Sequence, residues 1–407
     1  MRVFVLGILG LHLFLFFSLT GRIKRGYPDF TVYYTAAKMF RVGLGGQLYN
    51  LRSQYQVQKN YVGSIPSRHG PLPYIHPPFE AIIFLPLTYL PYPEAFAVWD
   101  LLNICMLFGL GCVLRRSLSA LRLIPLWEFV VACMAFFPVF VCFLQGQDSI
   151  LLLLLGALGF NALENEDDLA AGCWFGLGMF KFQFILPLVV VLHIWRRRRA
   201  AAGFVTVSCL LVLASAALVG WHNVLHYPAV AVEIGNSPGL GGTAAEFVPN
   251  LRGLALGWPL HLPHAIGVAV GLLSSVALFL FAATKWGNRS KSGSFGLKFS
   301  LAIVVCGLVA WQTNMHDLSL LVLPLALTAD YALCASTQKN GKRSWNAFAL
   351  LAPALPLLIS PLWMIPWLVK GKVSFMAIPL LGWVWSITHE LKRNRESIAA
   401  PQISASI

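Results

Sequence analysis

Residues 3–38 read VFVLGILGLHLFLFFSLTGRIKRGYPDFTVYYTAAK, an apolar run followed by a basic stretch and then an aromatic, polar segment. The run from Val3 to Thr20 approaches the roughly 20 apolar residues that a membrane-spanning helix needs. It resembles a signal peptide, but Gly21 to Arg25 follow it instead of a small-residue cleavage site. We interpret the run as a retained first span. The segment after it, Pro28 to Lys38, places the carboxylate of Asp29 at the edge of the membrane.

The composition is that of a polytopic membrane protein. Of 407 residues, 57% are hydrophobic and 11% charged, and the mean hydropathy is +0.70. Soluble domains average about 45–50% apolar and about 25% charged residues. The net charge of +14 does not indicate nucleic-acid binding, because the basic residues form short clusters between apolar runs, as in the positive-inside rule. The eight cysteines lie within apolar runs without a CxxC pair, which indicates buried apolar side chains and no disulfides.

The apolar runs predict an all-α protein with about twelve transmembrane helices. We place the spans near 2–20, 93–114, 126–144, 149–163, 169–180, 184–195, 201–220, 264–284, 299–313, 318–336, 346–360 and 373–389. No internal repeat or linker divides the chain, so residues 1–407 are predicted to form one integral-membrane domain. Within it we distinguish the first span and a long external loop (1–92), core spans (93–336), and variable C-terminal spans with a cytoplasmic tail (337–407).

The basic clusters predict the orientation of these spans. Five clusters fall in the cytoplasm with alternating spans if His76 to Leu90, a short segment broken by prolines, is an interfacial helix and not a crossing. Both termini are then cytoplasmic. The clusters are Arg115-Arg116 with Arg122, Arg196 to Arg199, Lys285 to Lys298 with Arg289 and Lys291, Lys339 with Lys342 and Arg343, and Lys392 to Arg395. Basic residues at 22, 24, 25, 41, 370 and 372 oppose the rule, but five clusters outweigh them.

In this topology the unusual polar segments collect on the external side, so the chemistry is predicted to face outward. These segments are Asp29 with its tyrosine-rich flank, Tyr74 to Pro78, Gln145 to Ser149, Lys181 to Gln183, the loop 221–263 with its stretch 236–242, and Gln312 to Asp317.

Each candidate residue has a structural alternative. Asp29 is either a helix N-cap or a general base that takes a proton from a hydroxyl. His316 is either an interfacial histidine paired with Asp317 or a donor of a hydrogen bond to a phosphate. Lys181 and Arg252 either lie at the interface with their charge in the headgroups or hold an anionic headgroup.

Gln147 opens a span whose cap is Asp148 or Ser149, and His76 precedes two prolines that fix a rigid entry into an interfacial helix. The sequence contains no P-loop, HExxH or GxSxG motif, and no external pair of closely spaced acidic residues for a divalent metal. We therefore expect neither a metal nor a cofactor.

At these residues the chain resembles glycosyltransferase family 87. The similarity begins with Asp29-Phe30, Tyr33-Tyr34, Ala36-Ala37 and Leu48-Tyr49, and it covers roughly residues 25–330. Four stretches follow in order: Tyr74 to Pro78 with Pro86-Leu87 and Trp99, Gly146-Gln147 before a leucine run, Ala171-Gly172 to Lys181 with Pro187 and the Arg196 cluster, and His316-Asp317 before Leu320-Leu321 and Pro324.

The resemblance implies a GT-C fold and a membrane enzyme that uses a polyprenyl-phosphate sugar. It implies Asp29 as catalytic base and His316 near the donor phosphate; the predicted substrate-binding residues are His316, Lys181, Gln147, His76, Arg252, Tyr33 and Asp317. We expect a bacterial inner-membrane hexosyltransferase, with mannose as the sugar, a lipid or glycan acceptor and inversion at the anomeric carbon. The alternative is a transporter or flippase of lipid-linked sugars, for which inverted repeats would be typical.

Overall fold

The computed structural model describes residues 2–62, 72–235, 244–286, 294–337 and 349–399. Within these ranges the chain forms helices and no strands, as the all-α prediction requires. The predicted features at 236–242 and at Arg289, Lys291, Lys339, Lys342 and Arg343 lie outside the described residues.

The α-helices are Arg2–Ser18, Thr20–Lys24, Phe30–Arg41, Leu51–Gln58, Ala81–Phe84, Tyr92–Ser117, Ser119–Arg122, Leu126–Met134, Phe137–Gln145, Ser149–Glu164, Asp168–Leu177, Phe182–Ile194, Arg198–Val219, Trp221–Gly235, Leu251–Leu256, His264–Trp286, Phe295–Val309, Val322–Thr337, Ser360–Lys370 and Ala377–Ala399. Shorter 3-10 turns are Gly45–Gln47, Pro78–Glu80, Leu85–Tyr89, Gly178–Lys181, Ala245–Phe247, His316–Leu321, Ala352–Leu358 and Ser374–Met376.

Five helical segments of the described chain are long and apolar enough to cross a membrane, and two bent helix pairs raise the number to seven if each pair is one span. The five are Tyr92–Ser117, Asp168–Ile194, Arg198–Val219, His264–Trp286 and His316–Cys334. The chain is therefore a multi-pass membrane protein. Other apolar helices, such as Ser149–Glu164 and Phe295–Val309, are shorter than this, so a total of about twelve spans stays a prediction.

One of the bent helix pairs leads directly into the polar region around Gln147. Helices Leu126–Met134 and Phe137–Gln145 meet at 77°. The second helix ends at Gly146, whose φ of 61° lies in the left-handed region that favours glycine. A Cβ at Gly146 would also lie 2.7 Å from Cβ of Phe30, so the glycine lets the two segments approach.

The segment Asp168–Ile194 meets the length and composition of one crossing, but it folds back on itself. Its helices Asp168–Leu177 and Phe182–Ile194 are separated by the 3-10 turn Gly178–Lys181. The two outer ends meet, because Arg197 Nη1 lies 2.5 Å from Asp168 Oδ1. Lys181 is therefore at the tip of a helical hairpin, between two short apolar runs.

Contacts at the opposite end join several of the predicted basic connections. Asp330 accepts hydrogen bonds from Ser119 Oγ at 3.2 Å and from the Ala120 amide at 2.7 Å. The hydroxyl of Tyr331 donates to Glu390 at 2.8 Å. Asp330 and Asp168 belong to the helical segments His316–Cys334 and Asp168–Leu177, whose other ends lie at Lys181.

The region after the first span packs as short helices and not as a crossing. Pro78–Glu80, Ala81–Phe84 and Leu85–Tyr89 follow one another without a gap as one short helical segment. Ala81–Phe84 and Leu85–Tyr89 pack against the helix Phe30–Arg41, and Pro78–Glu80 packs against the helix Arg198–Val219. Phe30 anchors the packing, since it is fully buried among aromatic rings that include Phe84. This agrees with the exclusion of His76 to Leu90 as a span.

The hairpin depends on a close approach between Asp168–Leu177 and Arg198–Val219, and Gly172 lies at the contact. A Cβ at this position would overlap the carbonyl oxygen of Ala200. Gly172→Ala should therefore destabilise the protein by about 1–3 kcal/mol, as overpacking does. Thermal unfolding in detergent measures the loss.

Gly109→Ala is the matched control, because the nearest heavy atom to its new Cβ is an ordinary 3.8 Å away. This control should unfold at or above the wild-type temperature, since alanine favours a helix more than glycine. Equal stability of the two variants would contradict the close approach.

Candidate active site

A cavity of about 900 Å³ brings together most of the segments predicted to face outward. Its wall includes Asp29, Tyr33, His76, Lys181 and His316, contributed by four different parts of the chain. The wall also includes apolar residues such as Leu186, Val212, Val224 and Val232. The cavity can therefore contact both polar groups and an apolar chain.

Asp29 occupies the N-cap position of helix Phe30–Arg41, but its side chain makes no capping hydrogen bond. Instead, Asp29 Oδ2 accepts a hydrogen bond of 2.8 Å from Gln147 Nε2. Its backbone amide donates to Gln145 Oε1 at 3.2 Å. The carboxylate is half-buried and lines the cavity, so capping does not account for its position.

Gln147 is held so that its amide nitrogen points to Asp29. The Tyr33 hydroxyl donates to Gln147 Oε1 at 2.7 Å, and Trp99 Nε1 donates to the Gln147 carbonyl at 3.3 Å. Because its oxygen is occupied by Tyr33, the Nε2 group is left for the carboxylate. Tyr33 and Gln147 thus fix the orientation of Asp29.

A buried ion pair network lies behind this wall. Lys181 Nζ is 3.2 Å from Asp148 Oδ1 and 3.2 Å from Asp317 Oδ1, and its side chain is 4% exposed. Asp317 also accepts hydrogen bonds from Ser149 Oγ at 3.0 Å and from the Asn314 amide at 2.8 Å. The charge of Lys181 is therefore shared by two carboxylates of the protein.

His316 is fixed at the cavity by its neighbours in this network. Its Nε2 lies 3.5 Å from Asp317 Oδ1, and its carbonyl accepts a hydrogen bond from Cys142 Sγ at 3.3 Å. The His316 side chain lines the cavity, whereas Asp317 lies behind it.

The network continues from Asp148 to Glu80 and His76. His76 Nδ1 is 3.0 Å from Glu80 Oε2, and Glu80 has no exposed side-chain surface. Burial raises the pKa of Glu80 to about 7 and the pKa of Asp148 to about 7, and the attraction of Lys181 opposes both shifts. Two adjacent buried carboxyls retain a proton in this way, since one charge is easier to bury than two.

Glu80 was not among the candidate residues predicted from the sequence, and Asp148 was predicted only as a helix cap. The signal for Glu80 was available, because it is a carboxylate inside the apolar stretch HPPFEAIIF, four residues after His76. An ionisable residue in such a stretch is costly unless it has a partner.

The structure brings six of the seven predicted substrate-binding residues to one region: Tyr33, His76, Gln147, Lys181, His316 and Asp317. Arg252 is placed differently. Its guanidinium lies 4.3 Å from the ring centre of Trp311, and its Nη1 donates to the Trp311 carbonyl at 3.2 Å. Trp311 lines the cavity and Arg252 does not. Among the described residues, no group of three His, Cys, Asp or Glu side chains is arranged to hold a metal ion.

Comparison with known proteins identifies the fold family. Residues 74–311, more than half of the chain, match the family model for glycosyltransferase family 87. The chain belongs to glycosyltransferase family 87. The resemblance seen in the sequence motifs is confirmed, and the protein is a multi-pass membrane glycosyltransferase.

A curated relative of this family 87 chain is the polyprenol-phosphate-mannose-dependent alpha-(1-2)-phosphatidylinositol pentamannoside mannosyltransferase of Mycolicibacterium smegmatis. The two proteins are 24% identical over 348 residues, which cover 80% of each chain. No solved structure matches this chain.

The ion pair network makes a prediction about stability. Lys181→Met removes the cation shared by Asp148 and Asp317 and leaves two buried carboxylates without it. Breaking a buried pair in this way costs about 3–5 kcal/mol. We expect a large fall in the unfolding temperature in detergent at pH 7.

Lys372→Met is the control, because Lys372 is 37% exposed and 3.9 Å from its partner Glu246. An exposed pair contributes about 0–1 kcal/mol, so this variant should unfold near the wild-type temperature. If Lys181→Met were as stable as this control, the network would not be a stabilising element.

Proposed function

We propose that this family 87 enzyme transfers a hexose, specifically mannose, from a polyprenyl-phosphate sugar to a hydroxyl of a lipid or glycan acceptor. Asp29 is the general base in this proposal. One observation carries the proposal. Among the described residues that line the cavity, Asp29 carries the carboxylate, and Gln147 orients it. The other carboxylates of the region, Glu80, Asp148 and Asp317, are buried behind the wall.

The chemistry follows from this arrangement. Asp29 accepts the proton of the acceptor hydroxyl as the hydroxyl oxygen bonds to the anomeric carbon of the sugar. The bond between that carbon and the phosphate oxygen breaks, and polyprenyl phosphate leaves with the electron pair. Attack on the face opposite the leaving group inverts the anomeric configuration, so a β-linked donor gives an α-linked product. The name of the Mycolicibacterium smegmatis relative, which includes a polyprenol-phosphate-mannose donor and an alpha linkage, supports this choice.

The donor phosphate is proposed to lie near His316, whose ring lines the cavity. Lys181 contributes to the potential of this region, but its ammonium already lies between Asp148 and Asp317. The polyprenyl chain is proposed to lie along the apolar residues of the cavity wall. Leu186, Val212 and Val232 are among these residues and are 46%, 43% and 63% exposed.

The proposed location is a bacterial inner membrane, with the cavity on the external or periplasmic face and both termini in the cytoplasm. The positive-inside rule supports this orientation, because basic connections such as 115–122 and 196–199 lie at the end away from Lys181. Membership of a transferase family speaks against the transporter alternative.

The role of Asp29 is tested by Asp29→Asn. The amide keeps the size of the side chain but cannot take the proton, so kcat for mannose transfer should fall by about 10²–10⁴-fold. Transfer from polyprenyl-phosphate mannose in purified, reconstituted protein measures this. The unfolding temperature should stay near that of the wild type, since Asp29 is not part of the buried ion pairs.

Glu94→Gln, a change at an exposed carboxylate near the start of helix Tyr92–Ser117, is the matched control and should keep wild-type turnover. Normal turnover by Asp29→Asn would refute the assignment of the base.

The orientation is tested with alkaline phosphatase fusions, because this enzyme is active only outside the cytoplasm. A fusion after Val62 should be active, and a fusion after Arg122 should be inactive, since one connection is proposed to be external and the other cytoplasmic. The reverse pattern would place the cavity on the cytoplasmic side.

A further inference from the structure

His76 is held by more contacts than packing alone requires. The Tyr49 hydroxyl donates to its carbonyl at 2.9 Å, and two prolines follow it. Its ring lies between two tyrosine rings, with centroid distances of 5.0 Å to Tyr33 and 5.5 Å to Tyr74. The imidazole is therefore held in one position at the cavity wall.

One ring nitrogen of His76 faces the protein. Nδ1 is 3.0 Å from Glu80 Oε2, and Glu80 is fully buried. The side chain is 22% exposed and lines the cavity, and no described residue makes a hydrogen bond to Nε2. The Nε2 edge is thus left for a ligand.

The protonation of the ring decides which ligand this is. Burial and the charge of Lys181 together lower the pKa of His76 to about 4, so the imidazole is neutral at neutral pH. A neutral imidazole has one N–H donor and one acceptor nitrogen. The hydrogen bond between the two carboxyls lowers the pKa of Glu80 and raises that of Asp148, so the shared proton lies on Asp148 and Glu80 is the acceptor.

With that arrangement Glu80 is ionised, and its Oε2, 3.0 Å from Nδ1, favours the tautomer that carries the proton on Nδ1 and leaves Nε2 as an acceptor. A phosphate diester has no hydrogen to donate to such a nitrogen, whereas a sugar hydroxyl has one. His76 also lies next to Tyr33, which is joined through Gln147 to Asp29. A hexose at Asp29 would therefore have hydroxyls on the side of His76.

We propose that His76 is a specificity-determining residue whose Nε2 accepts a hydrogen bond from a hydroxyl of a hexose in the cavity, and that Glu80 is the positioning residue that fixes its tautomer. This inference rests on the proposed function, since it concerns the sugar that the enzyme transfers or the sugar that accepts it. The two cavity histidines then have different roles: His316 lies near the phosphate, and His76 contacts a sugar ring.

The test compares ligands with and without the sugar. Dissociation constants are measured for purified protein with polyprenyl-phosphate mannose, with polyprenyl phosphate and with octyl α-mannoside. In His76→Asn the amide can still reach Glu80 but not the Nε2 position. Affinity for one mannosyl ligand should fall about 10-fold, as for a lost hydrogen bond of roughly 1.4 kcal/mol. Affinity for polyprenyl phosphate should change by less than about twofold.

The two mannosyl ligands separate the possible sources of the hydroxyl. A loss confined to polyprenyl-phosphate mannose assigns His76 to the donor sugar, and a loss confined to octyl α-mannoside assigns it to the acceptor; either result supports the proposal. An equal loss with polyprenyl phosphate would make His76 a phosphate ligand and overturn it. Unchanged affinity for all three ligands would also overturn it.

Further variants separate positioning from stability. His76→Gln, whose amide reaches the Nε2 position, should restore the binding of the mannosyl ligand to within about threefold of the wild type. Glu80→Gln keeps an oxygen that can accept from Nδ1–H and should also bind it within about threefold, whereas Glu80→Met should lose about as much as His76→Asn. A purely structural role would lower the unfolding temperature of these variants but would not separate the sugar-bearing ligand from the sugarless one.

The Glu80 pair also tests the proposal if His76→Asn does not fold. Equal binding by Glu80→Gln and Glu80→Met would then overturn it. The proposed mannose substrate is contradicted if the wild-type protein binds polyprenyl-phosphate mannose no better than polyprenyl phosphate and does not bind octyl α-mannoside. If the wild-type protein favours the mannosyl ligand and the variants favour it equally, only the role of His76 is contradicted.

Discussion

A buried ammonium group between two carboxylates holds this active site together. Taking charges out of water is costly, so they persist inside a membrane protein only where partners offset the loss of hydration. Lys181 meets this requirement with Asp148 on one side and Asp317 on the other. These residues come from the tip of a helical hairpin, the turn before helix Ser149–Glu164, and the 3-10 turn His316–Leu321. The network therefore fixes three separate parts of the chain relative to one another.

The breaks in the helices place polar residues at the cavity. A continuous helix buries its backbone groups but presents few side chains to a shared point, whereas a helix end can aim one polar residue at the cavity. The bend before Phe137–Gln145 leads to Gln147, and the break at Gly178–Lys181 presents Lys181. The N-terminus of helix Phe30–Arg41 presents Asp29. Polar residues of the cavity wall thus come from helix ends, whereas apolar ones such as Leu186 and Val212 come from helix sides.

Sequence reasoning found the membrane class, the family and most of the residues around the cavity. It succeeded for Asp29, His316 and Lys181 because each is a charged or polar residue in an apolar context, which is unusual enough to notice in one dimension. It did not include Glu80, and it gave Arg252 the same status as residues that line the cavity. In the structure, Arg252 packs on Trp311, a contact between residues 59 positions apart that no local pattern encodes.

The sequence by itself determined that the chain crosses a membrane, that its unusual polar segments alternate with basic connections, and that its motifs belong to a glycosyltransferase family. Hydropathy and charge suffice for this, because a bilayer constrains each segment separately. Only the tertiary structure decided which polar side chains face the cavity and which face one another. Asp29 is oriented by Gln147, 118 positions away, and Lys181 is occupied by two carboxylates that lie far from it in the chain. The side chain of the aspartate after the first span is half-buried and faces the cavity without capping its helix, because that distant amide orients it. Such pairings exist only once the helices have packed.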